Sequence, residues 1–136
     1  MRANVVSAVV GACFFMVPGS VFGHHAFSAE FDAQRPIVLR GTVVKTEWIN
    51  PHSWVHIDVK RPDGKVDTWA IECGAPNSLL RRGWTKNSLP IGSEIVVDGF
   101  GAKNGSTTAN ARDITTADGQ KMFVGSSGTG APYEKK

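Results

Sequence analysis

The chain has 136 residues, 41% of them hydrophobic and 20% charged, with a formal net charge of +3 at neutral pH. That length suits one domain with a modest core, and so small a positive excess excludes any argument from charge for a nucleic-acid partner. The two cysteines, Cys13 and Cys73, are divided between the leading segment and the body of the chain, so the body has no internal disulfide and must hold together by packing.

Met1 and Arg2 are followed by the uncharged run "ANVVSAVVGACFFMV", then Pro18, Gly19 and Ser20, with Val21 and Gly23 at the spacing of a cleavage site. This pattern predicts a secretory signal peptide over residues 1–23, cut after Gly23, so that the mature chain begins at His24. The run is shorter than the roughly 20 apolar residues of a spanning helix, so no stable membrane insertion is expected after cleavage and the location is periplasmic or secreted. "VGAC" around Cys13 weakly resembles a lipid-attachment box, but the apolar run continues past it. Cleavage leaves 113 of the 136 residues and removes one positive charge, Arg2.

The stretch "IVLRGTVVKTEW" predicts a first strand over 37–48, in which Gly41 marks a bend or bulge. "NPHS" reads as a turn. "WVHIDVK" alternates strictly, with Val55, Ile57 and Val59 on the core face and Trp54, His56 and Asp58 outward. After the hairpin turn "RPDG", the returning strand places Trp69, Ile71 and Cys73 inward and Thr68, Ala70 and Glu72 outward. "APNSLLRRGW" predicts a short helix with Leu79 and Leu80 inward and Gly83 at its stop. It is the single helix expected in the mature domain, and Arg81, Arg82 and Lys86 are read as a solvated face.

Further strands are expected within "LPIGSEIVVDGF", "TANARDITT" and "KMFVG", separated by "GAKNGST" and "ADGQ". Three strands, a short helix and two or three more strands predict a mainly β domain over 24–124, a five- to six-stranded OB-like barrel with its helix between the third and fourth strands. An immunoglobulin-like sandwich would want about seven strands and no such helix. The tail over 125–136 lacks a core-facing pattern and is expected to be disordered.

Taken together, "HHAFSAEFD", "GTVVKTEWINPHSW", "GAPNSLLRRGW" and "TANAR" resemble an uncharacterised family of small exported bacterial proteins, a domain of unknown function. The resemblance covers nearly all of residues 24–124. It implies a bacterial exported domain with a small barrel fold and carries no established activity. The chain departs from the family pattern at Cys73, where an aliphatic residue is expected, which weakens any thiol-based function.

All four histidines fall in two short places: His24 and His25 at the expected mature terminus, His52 and His56 in the first turn and second strand. An N-terminal histidine offers both a ring nitrogen and an α-amine with a reference pKa of about 7.7–8.0, which a metal displaces readily from its proton. A nitrogen-rich site favours copper among divalent ions, with zinc and nickel next. His52 and His56 would lie some 13 Å apart on a straight strand at roughly 3.3 Å per residue. The economical site therefore joins the N-terminal arm to one of them. Glu72 is expected beside His56, where it or Asp58 could ligate or orient a ring.

The readings without function are a polar chain start for His24 and His25, a turn-stabilising bond for His52, a surface position for His56, and packing for Trp48, Trp54, Trp69 and Trp84. Glu30 and Asp32 in "EFD" are weak candidates for acid–base work, and no nucleophile elbow, phosphate loop, CxxC or HExxH occurs.

Two functions follow. One is an exported metal-binding protein, a copper carrier or buffer, using His24 with His25, His52 and His56. The other is a non-catalytic, metal-free binding module of the cell envelope that holds a small ligand or a protein on the face of Trp54, His56 and Glu72. Both stand ahead of an oxidative copper enzyme, and an enzyme is the less expected class.

Overall fold

The computed structural model describes residues 27–134. The predicted leader over 1–23 and the histidines His24 and His25 lie outside the described residues. The elements are α1 (Phe27–Glu30), β1 (Phe31–Glu47), β2 (Trp54–Lys60), β3 (Val66–Glu72), α2 (Pro76–Arg81), β4 (Glu94–Ala102), β5 (Thr108–Thr116) and β6 (Lys121–Phe123). The fold is mainly β, and α2 lies between the third and fourth strands as expected. The four-residue α1 is an addition to the single helix predicted.

The strands are ordered β3-β2-β1-β4-β5-β6, and β3 also pairs with β5. Hydrogen bonding therefore runs in a ring through β1 to β5. Every neighbouring pair is antiparallel except β3 with β5, which run parallel through Ala70↔Thr108, Ile71↔Ala109 and Glu72↔Asn110.

The long β1 serves two neighbours: residues 36–42 pair with β4 and residues 42–47 with β2. The hand-over falls at Gly41 and Thr42, where a Cβ on Gly41 would stand 2.7 Å from the Asp58 carbonyl oxygen. A glycine is needed there because two backbones approach more closely than a side chain permits. The bulge itself lies three residues on, between Val43 and Lys45, so bend and bulge are separate features. The strand also starts earlier than 37, running through Pro36 opposite Phe100 after a register shift.

Alternation on β2 and β3 carries the core. Val43, Ile57, Ile71, Val97 and Ile114 are fully buried, with Val55, Cys73, Leu79 and Trp84 in the same cluster. Each buried Val, Leu or Ile side chain contributes on the order of 1.5–3 kcal/mol. A second cluster of Phe27, Phe31, Ala102 and Ala131 packs with Phe100 and Tyr133, where Phe27 meets Phe100 edge-on at 5.4 Å between ring centres.

Helix α2 begins with Pro76 in its first turn, where a missing N–H loses nothing. It ends at Gly83, whose φ of +88° lets the Trp84 N–H return to the Leu79 carbonyl. That closure turns Trp84 into the core. Only Leu79 of the leucine pair is inward; Leu80 is 49% exposed, because so short a helix has one buried stripe. Arg82, read as part of a solvated face, instead donates to the Gly125 carbonyl at 2.8 Å and lies 4.7 Å over the Phe123 ring.

The tail shows no alternation, yet over residues 125–134 it packs against the sheet. Gly125, Ser126, Thr129 and Ala131 are buried, and the Phe27 N–H donates to the Thr129 carbonyl at 2.8 Å. Glu134 accepts from the Gly128 and Thr129 N–H groups and from the Thr129 hydroxyl. Polar capping of this kind holds a segment without any strand or helix period.

Candidate functional site

The loop between β1 and β2 contains a cis Asn50–Pro51 peptide and presents His52 two residues before the start of the second strand. The His52 Nδ1 stands 3.0 Å from the Glu72 Oε1, with the two side chains 13% and 7% exposed. Glu72 closes β3 and is opposite Trp54 in the β2–β3 ladder, whereas His56 is opposite Ala70. The expected neighbourhood of Glu72 and His56 is thus corrected: Glu72 serves His52, and it is buried rather than outward.

A buried carboxylate needs its remaining lone pairs occupied. Asn110 faces Glu72 across the parallel β3–β5 pairing, and its Nδ2 donates to the Glu72 Oε1 at 3.3 Å. The Tyr133 hydroxyl donates to the Asn110 Oδ1 at 2.7 Å and accepts from the Ser126 N–H at 3.2 Å. A chain of bonds with one polarity therefore runs from the tail through Tyr133 and Asn110 to Glu72, which His52 meets from the other side.

This setting acts on the titrating groups. The Glu72 hydrogen bond raises the His52 pKa above its ordinary value against the opposing effect of burial, and the charges of Glu72 and Glu30 raise it further. Burial pushes the Tyr133 hydroxyl up to about 12, so it keeps the proton it donates to Asn110. Burial likewise pushes the Cys73 thiol up to about 12, which suits packing rather than nucleophilic or ligand chemistry. Beside His52, Pro51, Ala75, Ser78, Ser126 and Ser127 line a cleft of about 180 Å³.

The second strand histidine has a different partner. His56 Nε2 lies 2.7 Å from the Glu47 Oε2, and Lys45 Nζ reaches the other oxygen of the same carboxylate at 2.8 Å. Lys45 first, then His56, holds the Glu47 carboxyl below its usual range. Asp58 accepts from the Thr68 hydroxyl at 2.6 Å, and Trp54 is half-buried. His52 and His56 are therefore tied to separate carboxylates. Among the described residues no three of His, Cys, Asp and Glu form a group that could hold a metal ion.

Sequence reasoning missed Asn110, Tyr133 and Ser126. Asn110 sits where "TANAR" shows a polar residue among small ones, and Tyr133 is the only tyrosine of the chain; both were legible as oddities without a partner.

A family of unknown function, DUF6152, matches residues 14–111. The chain belongs to this family. The DUF6152 match takes in His52, Glu72 and Asn110 and stops short of Tyr133. No curated protein and no solved structure matches the chain.

Proposed function

We propose that this DUF6152 chain is an exported bacterial protein that binds a transition-metal ion, copper first and zinc or nickel less well, with His24 and its α-amine, His25 and His52 as ligands. It acts as a carrier or buffer rather than an enzyme. The observation that carries this reading is the His52–Glu72 pair, in which the ring Nδ1 stands 3.0 Å from the Oε1 of a buried carboxylate. Glu72 on Nδ1 is the arrangement of a carboxylate behind a metal-bound imidazole. A closed strand ring with α2 between β3 and β4 supports the OB-like description, a fold that hosts many binding functions.

Intact-mass measurement on the exported protein locates the cut, expected after Gly23. Copper(II) titration followed by electron paramagnetic resonance then tests the ligands. His24→Ala and His52→Ala should each weaken binding at least tenfold, and His56→Ala should leave it unchanged. Unchanged affinity in both His24→Ala and His52→Ala removes the site and leaves the metal-free envelope binding module, whose ligand should protect residues 52–72 from hydrogen exchange.

A further inference from the structure

The segment after β6 is a loop closed on itself. Within residues 126–134 the Ser126 N–H donates to the Tyr133 hydroxyl at 3.2 Å, so the two ends meet. Glu134 accepts from the Gly128 and Thr129 N–H groups and from the Thr129 hydroxyl, and its own N–H returns to the Ala131 carbonyl at 2.9 Å. Such a loop, compact and with its ends close together, keeps its shape when it lifts, because these bonds travel with it.

Its hold on the rest of the domain is of a different kind. The sheet pairings end with β6, and among the described residues the one backbone bond from the loop to the rest joins the Thr129 carbonyl to the Phe27 N–H. Side chains make the other polar links: Tyr133 to Asn110 at 2.7 Å, and Ser126 Oγ to the Cys73 carbonyl at 3.5 Å, the limit of a hydrogen bond. The apolar anchors are Ala131, buried with Phe27 and Phe31, and the half-buried Tyr133. Few apolar contacts and no ladder put a segment at the low-stability end of a domain, where it opens before the core does.

The loop also closes a space. Ser126 and Ser127 form one wall of the cleft of about 180 Å³ whose other walls are Pro51 and His52, before β2, and Ala75 and Ser78, at the start of α2. Lifting the loop removes that wall and takes the Tyr133 hydroxyl from the amide that supports Glu72.

We propose that residues 126–134 form a latch that opens as one piece while the strand ring stays folded, and that this opening controls access to His52. The latch is independent of the metal reading, and its test is made on the exported, metal-free protein. Its root is Gly125, where a Cβ would stand 2.5 Å from the Tyr133 ring and 2.7 Å from the Phe123 ring, so Gly125→Ala forces the rings apart.

Amide exchange followed by NMR in rising urea tests the opening. The Phe27, Ser126, Thr129 and Glu134 amides should share one opening at urea concentrations where the β2–β3 amides stay protected. Modification by diethyl pyrocarbonate at one fixed pH, read by mass spectrometry, tests the access. Gly125→Ala should speed both the exchange of these amides and the modification of His52 about tenfold, with His56, which is outside the cleft, unchanged. Tyr133→Phe keeps the ring and should speed both about fivefold, which carries the test should Gly125→Ala fail to fold. The proposal is overturned if the four amides exchange only with global unfolding, if a folded variant speeds their exchange without speeding His52 modification, or if His56 modification rises equally.

Discussion

Glu72 is a buried carboxylate held between the His52 ring at 3.0 Å and the Asn110 amide at 3.3 Å, with Tyr133 of the tail bonded to Asn110 behind it. Replacing Glu72 by Gln removes the charge and keeps the shape. The His52 pKa should then fall, because its principal raising cause is gone and burial remains; proton NMR titration of the ring C–H signal reads it. Because the folded-state pKa of His52 is raised, the stability it adds is complete below the unfolded value and is lost as pH climbs through the folded one. Urea unfolding should accordingly show the wild type losing stability as pH rises above the ordinary histidine value of 6.5, with a flatter dependence in Glu72→Gln. Glu72→Ala, which leaves His52 and Asn110 facing a void, should cost about 3 kcal/mol.

Among the elements, β2, β3, α2 and β5 were legible almost to the residue, because each has a clear period bounded by glycine, proline or asparagine. The early start of β1 was hidden by Pro36, which reads as a strand breaker but is tolerated where its absent N–H costs no ladder bond. α1 was hidden by its brevity, and the orientation of Leu80 by an inward pair assigned to a helix too short for two buried stripes. The residues of the polar chain were not legible as a site because they come from separate segments brought together only by the β3–β5 pairing and the tail. Close backbone approach makes a sharper expectation at Gly99, where a Cβ would meet the Asn110 carbonyl oxygen at the β4–β5 register shift. Gly99→Ala should destabilise by about 3 kcal/mol, at the upper end of overpacking costs. Gly64 is the control: its φ is +83° but its surroundings are open, and Asn tolerates that conformation, so Gly64→Asn should change stability by less than about 0.5 kcal/mol. Urea unfolding of both variants checks the pair.

At the scale of the molecule, the tail links the two apolar clusters. Gly125 sits against the Phe123 and Tyr133 rings, Tyr133 reaches Asn110, and Ala131 lies with Phe27 and Phe31. Ending the chain after Gly125 should uncover Glu72 and the second cluster together. Thermal unfolding should shift down by roughly 10 °C, corresponding to about 2 kcal/mol at the usual 4–8 °C per kcal/mol for a domain near this size. Tyr133→Phe keeps the ring packing and removes only the hydroxyl, so its shift should be about half as large. Equal shifts in the two proteins would place the whole contribution in the Tyr133 hydroxyl, which bonds both Asn110 and the Ser126 N–H.

The parallel pairing of β3 with β5 has a consequence for the order in which the protein assembles. The other neighbours of the ring run antiparallel, whereas the seam joins Glu72 to Asn110 across 38 positions of sequence with three register pairs. Contacts of long separation are rewarded only after the intervening chain has been confined, so the seam should form after the β2–β3 hairpin and its amides should exchange before those of the hairpin. The amide that supports the Glu72 carboxylate belongs to that seam. The orientation of His52 is therefore acquired after the hairpin has formed, with the seam, rather than inherited from the hairpin itself.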